Sequence, residues 1–140
     1  FAYFWWNIAA GNKIGISCEL IDLRSTSPID WLKIYSSVRK TGKLLALDSS
    51  SGSLSVASEI IAMVAMNCHQ SLTCPPKRLA LEDMPAPTSF GLTDQYYIGA
   101  REIFEDVMRI LDKKMPHDLS KIFKKDHPHD VPGSWFKGPF

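Results

Sequence analysis

The sequence predicts an α/β domain in three layers, a mostly parallel sheet with helices on both faces. Three observations carry the prediction. Strand-like and helix-like segments alternate, strand then helix, three times over. The helix-like segments start and stop on residues suited to capping. The run Lys43–Asp48 is apolar without alternation, the pattern of a strand covered on both faces.

The elements follow in order. Cys18–Leu23 (CELIDL), after the turn-forming Gly15, reads as the first strand. Ser27-Pro28-Ile29-Asp30 reads as a helix start: Ser27 caps, Pro28 takes the first helical position, and Asp30 returns the capping-box hydrogen bond. That helix runs to about Arg39, with Trp31, Leu32, Ile34, Tyr35 and Val38 at helical spacing and Gly42 as its stop. Lys43–Asp48 (KLLALD) is the second strand, and Ser49 to Ser55 a small polar loop. Val56–Gln70 is apolar on almost every side, as a central helix is. Arg78–Glu82 (RLALE) is the third strand, parallel to the other two, and the Val56–Gln70 helix crosses between the last pair. A loop holding Pro85, Pro87 and Gly91 leads to Tyr96 and Tyr97. The last helix spans Ala100 to about Leu111, with acids early (Glu102, Glu105, Asp106) and bases late (Arg109, Lys113, Lys114), as its dipole favours. Residues 1–112 read as one domain. Residues 113–140, broken by Pro116, Pro128, Pro132 and Pro139, read as a tail that lies on the surface through Trp135 and Phe136 or stays loose.

Composition bounds the function. At 140 residues the chain buries one sound core without disulfides. Its net charge of +1 argues against a dedicated nucleic-acid surface. No apolar run reaches the about 18 residues a bilayer span needs, so no membrane partner is expected. Cys18, Cys68 and Cys74 match neither a disulfide framework nor a paired metal spacing. A reducing compartment fits: the cytoplasm, or a mitochondrial or plastid matrix in a eukaryote. The chain opens on Phe1 with an aromatic cluster, Phe1, Tyr3, Phe4, Trp5 and Trp6, and no basic segment precedes it. It is expected to be a piece of a longer chain, with that cluster in a core or an oligomer interface.

The candidate site is the loop after the second strand. Asp48, Ser49, Ser50, Ser51, Gly52, Ser53 and Ser55 lie between a strand and a helix start, where parallel sheets bind ligands and helix N-termini attract anions. They could cradle an anion or meet a partner, with Arg24 on the same rim. No P-loop or G-x-G-x-x-G fingerprint is present, and the plainer reading is a capped turn. Asp22 and Arg24 read first as a local salt bridge. His117, His127 and His129 with Asp126 and Asp130 lie in the proline-broken tail, without a helix or paired cysteines to order a metal site. Cys68 and His69 are adjacent on a helix end and point different ways. Cys74, before Pro75-Pro76, reads as a turn residue.

An ordered series of motifs resembles a known family. Gly15-Ile16-Ser17, Ile21-Asp22-Leu23-Arg24 and Ser27-Pro28-Ile29-Asp30 resemble the "GIS…VIDLRTLSPLD" stretch of the transketolase C-terminal domain. Lys40-Thr41-Gly42-Lys43-Leu44-Leu45, Ser58-Glu59-Ile60-Ile61-Ala62, Pro85-Ala86-Pro87-Thr88-Ser89, Leu92 and Tyr96-Tyr97 agree in order and spacing. The resemblance covers about residues 13–112 and is nearest to the beta chain of the decarboxylating component of 2-oxo acid dehydrogenase complexes. Such chains carry a His-Glu pair after the second strand and then a Gly-Gly-Phe-Gly-like turn. Here Asp48-Ser49 and Leu54-Ser55-Val56-Ala57 stand instead, so contacts through that loop are not carried over. The stretch from Phe4 to Gly15 is also short for the family's first helix.

The resemblance implies a sheet of about five strands. It also implies that thiamine diphosphate and magnesium sit in the full enzyme between two other domains, with no cofactor, metal or catalytic residue supplied here. The implied role is a homo- or hetero-oligomer interface that also docks the lipoyl-bearing acyltransferase. The alternatives are the C-terminal part of a transketolase or deoxyxylulose-phosphate synthase, and a stand-alone anion-binding module using the serine loop.

Overall fold

A computed structural model of the chain describes residues 15–116 together with Phe123. Packing divides the described residues into two units, residues 19–83 and residues 15–18 with 84–116 and Phe123.

In the first unit, helix α1 spans Trp31–Thr41. Its cap is Asp30, whose carboxylate accepts the Lys33 N–H at 3.1 Å. The cap expected at Ser27 is therefore displaced: Asp30 caps as well as a serine does, and it directly precedes the helix's first apolar residue. The Ser27 N–H is bonded by the Ser25 hydroxyl instead, at 3.3 Å. The helix stops at Gly42, at φ +70°, whose N–H donates to the Val38 carbonyl at 2.8 Å. Strand β1 spans Leu45–Ser51, helix α2 spans Val56–Cys68, a short 3₁₀ turn covers His69–Ser71, and strand β2 spans Lys77–Leu81. The two strands are parallel, as expected.

Their register is Leu45 to Lys77, Ala46 to Arg78 and Leu47 to Leu79, resuming at Ser51 to Leu81. Four steps along β1 (Leu47 to Ser51) thus face two along β2 (Leu79 to Leu81), a bulge centred on Asp48–Ser50. The expected loop is shorter than the sequence suggests, because Ser49, Ser50 and Ser51 belong to the strand.

The core of this unit joins Ile34 and Val38 of α1, Ala46 of β1, and Ala57, Ile60, Val64 and Cys68 of α2. Those α2 positions recur at helical spacing and make one stripe. Leu45 and Leu47 alternate with Ala46 and are half-buried, so β1 is less fully covered than its apolar run predicts.

The segment Cys18–Leu23 corrects another expectation. It is not a strand, and among the described residues the sheet holds β1 and β2 alone. Ile21 and Leu23, two positions apart, pack on the core cluster, and Glu19 pairs with Lys33 at 3.6 Å and Lys40 at 3.3 Å on α1. Side chains anchor the segment. Alternation specifies which side is buried, but a strand also needs a neighbour's backbone in register.

In the second unit, the stretch expected as a loop contains helix α3, Phe90–Tyr96, and the last helix α4 spans Ala100–Ile110. Ser89 precedes α3, and its carbonyl accepts the Leu92 and Thr93 N–H groups, a local turn that the surrounding prolines and glycine obscured. Glu102 accepts the Gly99 N–H at 2.9 Å, which closes the start of α4. Ile16, Phe104 and Met108 are buried here, and Phe123 meets Phe104 edge-on at 5.3 Å between ring centroids. Among the described residues no helix is long and apolar enough to cross a membrane. The Phe1–Trp6 cluster, the helix expected before Gly15, the histidines His117, His127 and His129 with Asp126 and Asp130, and the tail residues Trp135 and Phe136 lie outside the described residues.

Candidate functional site: the turn after β1

Parallel strands bring their C-terminal ends together, and the serine turn forms there. The bulge frees Asp48 from the ladder. One of its carboxylate oxygens accepts the Ser50 N–H at 2.9 Å and the Ser50 hydroxyl at 2.8 Å, and the other accepts the Ala57 N–H at 3.2 Å. Asp48 thus reaches the first turn of α2 and supplies the negative charge that a helix N-terminus attracts. Burial alone would raise its pKa, but the hydrogen bonds from Ser50, Ala57 and Ser49 outweigh that and hold it below the usual carboxylate value.

Ser55 caps α2, its hydroxyl accepting the Ser58 N–H at 3.2 Å. The Ser58 hydroxyl donates to the Gly52 carbonyl at 2.9 Å and receives a hydrogen bond from the Arg78 guanidinium of β2. The Gly52 N–H donates to the Leu81 carbonyl at 2.9 Å. Just past β2, Asp83 accepts both the Ser53 N–H, at 3.0 Å, and the Ser53 hydroxyl. The Ser53 hydroxyl is the leading cause that lowers the Asp83 pKa, and Arg78 adds to it.

Of the predicted residues, the structure gathers Asp48, Ser50, Ser51, Gly52, Ser53 and Ser55 into one network. The Ser49 side chain is exposed, and this residue joins the network only through its backbone hydrogen bond to Asp48. Arg24 is paired with Asp22 at 3.0 Å, and the cation that reaches the turn is Arg78. Sequence reasoning missed Arg78 and Asp83. The signal for Asp83 was topological: in a parallel β-α-β unit, residues just past β2 must lie beside those just past β1, whereas Arg78 stands inside β2 and reaches the turn by the length of its side chain.

The chemistry of the network is that of a brace. The Ala57 and Ser58 N–H groups at the head of α2 already meet chain oxygens, and Asp48 stands where a bound anion would. Both oxygens of Asp83 are engaged by Ser53, and the pair lies exposed to water. Elsewhere, Cys68 is sealed in the core and His69 is exposed, so they form no catalytic pair. At the tip of the turn stands Leu54, at φ +55° and fully exposed.

The family profile described as "Transketolase, C-terminal domain" matches residues 8–103, which include the whole of this network. The chain belongs to the transketolase C-terminal domain family. Three relatives show where such domains occur. This transketolase C-terminal domain is 40% identical over 97 residues to the pyruvate dehydrogenase E1 component subunit beta of Leifsonia xyli, covering 69% of this chain and 28% of that protein. It is 39% identical over 97 residues to the acetoin:2,6-dichlorophenolindophenol oxidoreductase subunit beta of Bacillus subtilis, again 69% and 28%. It is 34% identical over 99 residues to the 2-oxoisovalerate dehydrogenase subunit beta of the same organism, 71% and 30%. The chain therefore spans less than a third of the length of these relatives.

Proposed function

We propose that the chain is a non-catalytic assembly domain of a thiamine-diphosphate-dependent 2-oxo acid dehydrogenase beta chain, supporting oligomerisation and docking of the acyltransferase component. The observation that carries this reading is the match over two thirds of the chain to proteins that are each named a beta subunit. A subunit name implies partners, and Leu54 at the turn tip, Leu32 and Met66 present apolar side chains to one. In this reading residues 1–112 form the domain, three-layered and of about five strands, with residues 113–140 as its tail, in a cytoplasmic or organelle-matrix enzyme.

The described residues do not fit a magnesium–diphosphate site. Such a site needs carboxylate oxygens turned toward the cation. Here all four oxygens of Asp48 and Asp83 accept N–H or O–H groups. Among the described residues no three His, Cys, Asp or Glu side chains converge. In this reading the cofactor belongs to other domains of the full enzyme.

Calorimetry with thiamine diphosphate and magnesium is expected to show no binding in the micromolar range, and light scattering across a dilution series is expected to show association. Micromolar cofactor binding would overturn the reading, and a strict monomer at high concentration would remove its assembly half.

A further inference from the structure

Lys43 and Cys74 meet at the end of the sheet opposite the serine turn, just before β1 and β2. The Lys43 Nζ donates to the Cys74 Sγ at 3.7 Å, and both residues are partly exposed. The chain on either side is tied. The Thr73 N–H and hydroxyl both donate to the Gly42 carbonyl, at 2.8 and 3.1 Å, and the Lys77 N–H donates to the Leu44 carbonyl at 3.0 Å. The Lys43 carbonyl accepts the Thr41 hydroxyl at 3.1 Å. Pro75 and Pro76, with their fixed φ, stiffen the path from Cys74 to β2. These ties hold the two backbones side by side, so the amine and thiol stay within reach of each other while the sheet is intact.

We propose that this pair is an acyl-acceptor site, in which Cys74 takes an acyl group from a small acyl thioester and passes it to Lys43. In the first step the Cys74 thiolate attacks the thioester carbonyl carbon, the carbon–sulfur bond to the carrier breaks, and the carrier leaves as its thiolate. The Lys43 ammonium gives one proton, through water, to the departed carrier thiolate, and in the second step the lone pair of the resulting amine attacks the new thioester carbonyl. A carbon–nitrogen bond forms, the Cys74 carbon–sulfur bond breaks, and the amine proton passes to the released thiolate. The product is an amide on Lys43 with the Cys74 thiol restored, and no oxidant or metal is consumed.

Each residue supplies what the other lacks. A thiolate exchanges readily with thioesters. An ordinary lysine, with a pKa near about 10.4, is almost wholly protonated at neutral pH and acylates slowly by itself. Holding the acyl group beside the amine makes the transfer intramolecular and raises its effective concentration by orders of magnitude. Neither other cysteine has this arrangement. Cys68 is 3% exposed within the core, and Cys18 is bonded to no lysine among the described residues. Acylation would erase the Lys43 charge and its hydrogen bond to sulfur.

The test is incubation of the full chain with acetyl-coenzyme A as the probe thioester, read by peptide mass spectrometry. Lys43 is expected to acetylate at least about tenfold faster than Lys33 and Lys40, and Cys74→Ser is expected to remove that advantage. Lys43→Arg is expected to trap a hydroxylamine-labile acetyl group on Cys74, a readout that stands even if Cys74→Ser folds poorly. Equal rates at the three lysines, an undiminished rate in a folded Cys74→Ser variant, or no acetyl group on Cys74 in Lys43→Arg would each overturn the proposal.

Discussion

Ser53 and Asp83 stand thirty positions apart in the chain, yet the Ser53 N–H and hydroxyl donate to the two carboxylate oxygens of Asp83. This tie joins the turn after β1 to the residue just past β2 and closes the open end of the parallel pair. It is exposed to water, so each hydrogen bond replaces one that solvent would make. Asp83→Asn is expected to lower the thermal midpoint only slightly, and by less than Asp48→Asn. Scanning calorimetry of the two variants ranks them, and the reverse order would assign the main brace to Asp83.

Asp48 carries a pH dependence. Its folded pKa lies below the unfolded aspartate value of about 3.9, so the unfolded chain binds more protons between the two values. Stability from this group is fully present above the unfolded value and is lost as the pH falls through the folded one. Asp48→Asn is expected to cost about 1–2 kcal/mol at neutral pH, the range for hydrogen bonds to a charged acceptor beside a helix N-terminus. Urea melts from pH 7 downward should show the gap to wild type closing in acid. A constant gap would assign the role to side-chain shape.

Gly42 and Gly15 separate backbone cost from steric cost. Both are left-handed, at φ +70° and +72°. A Cβ on Gly42 would stand 2.9 Å from Thr73 Cγ2 and 3.3 Å from the Ser71 carbonyl oxygen, whereas nothing lies within 4 Å of one on Gly15. Gly15→Ala is expected to cost about 1 kcal/mol from conformation alone, and Gly42→Ala about 2 kcal/mol or more. Thermal denaturation checks the order, and equal costs would show that the Thr73 contact relaxes freely.

The core offers a graded test. Val64 is 0% exposed, and Ile61, on the same helix, is only partly buried. Val64→Ala is expected to cost about 1–3 kcal/mol. Val64→Asp would bury an unpaired carboxylate at a cost of several kcal/mol against a total of about 5–15 kcal/mol, and is expected to abolish the cooperative melt. Ile61→Asp, whose carboxylate can reach water, is expected to be milder. A near-wild-type melt for Val64→Asp would place the core elsewhere.

The sequence by itself determined the pieces whose causes are local. Helices α1, α2 and α4 were legible because apolar spacing and capping act over a few residues. Gly42 marked the end of α1 because a left-handed stop needs no tertiary help. The runs at Leu45–Leu47 and Leu79–Leu81, separated by a helix, were enough to predict parallel pairing, and the ordered motifs from Gly15 to Tyr97 were enough to point to the family. Tertiary structure decided most of the rest. Among the described residues it withheld a strand from Cys18–Leu23, because alternation cannot supply the neighbour whose backbone would complete a ladder. Local chemistry that was hard to read in advance placed the cap at Asp30, where two solutions competed, and a short helix at Phe90–Tyr96, which lacks an apolar stripe to announce it. The longer-range contacts came from tertiary structure, which drew Arg78 and Asp83 to the serine turn and Cys74 to Lys43. Those meetings depend on which residues face each other across the parallel register, and register is fixed by packing the sheet against α2 rather than by any preference that neighbouring residues carry.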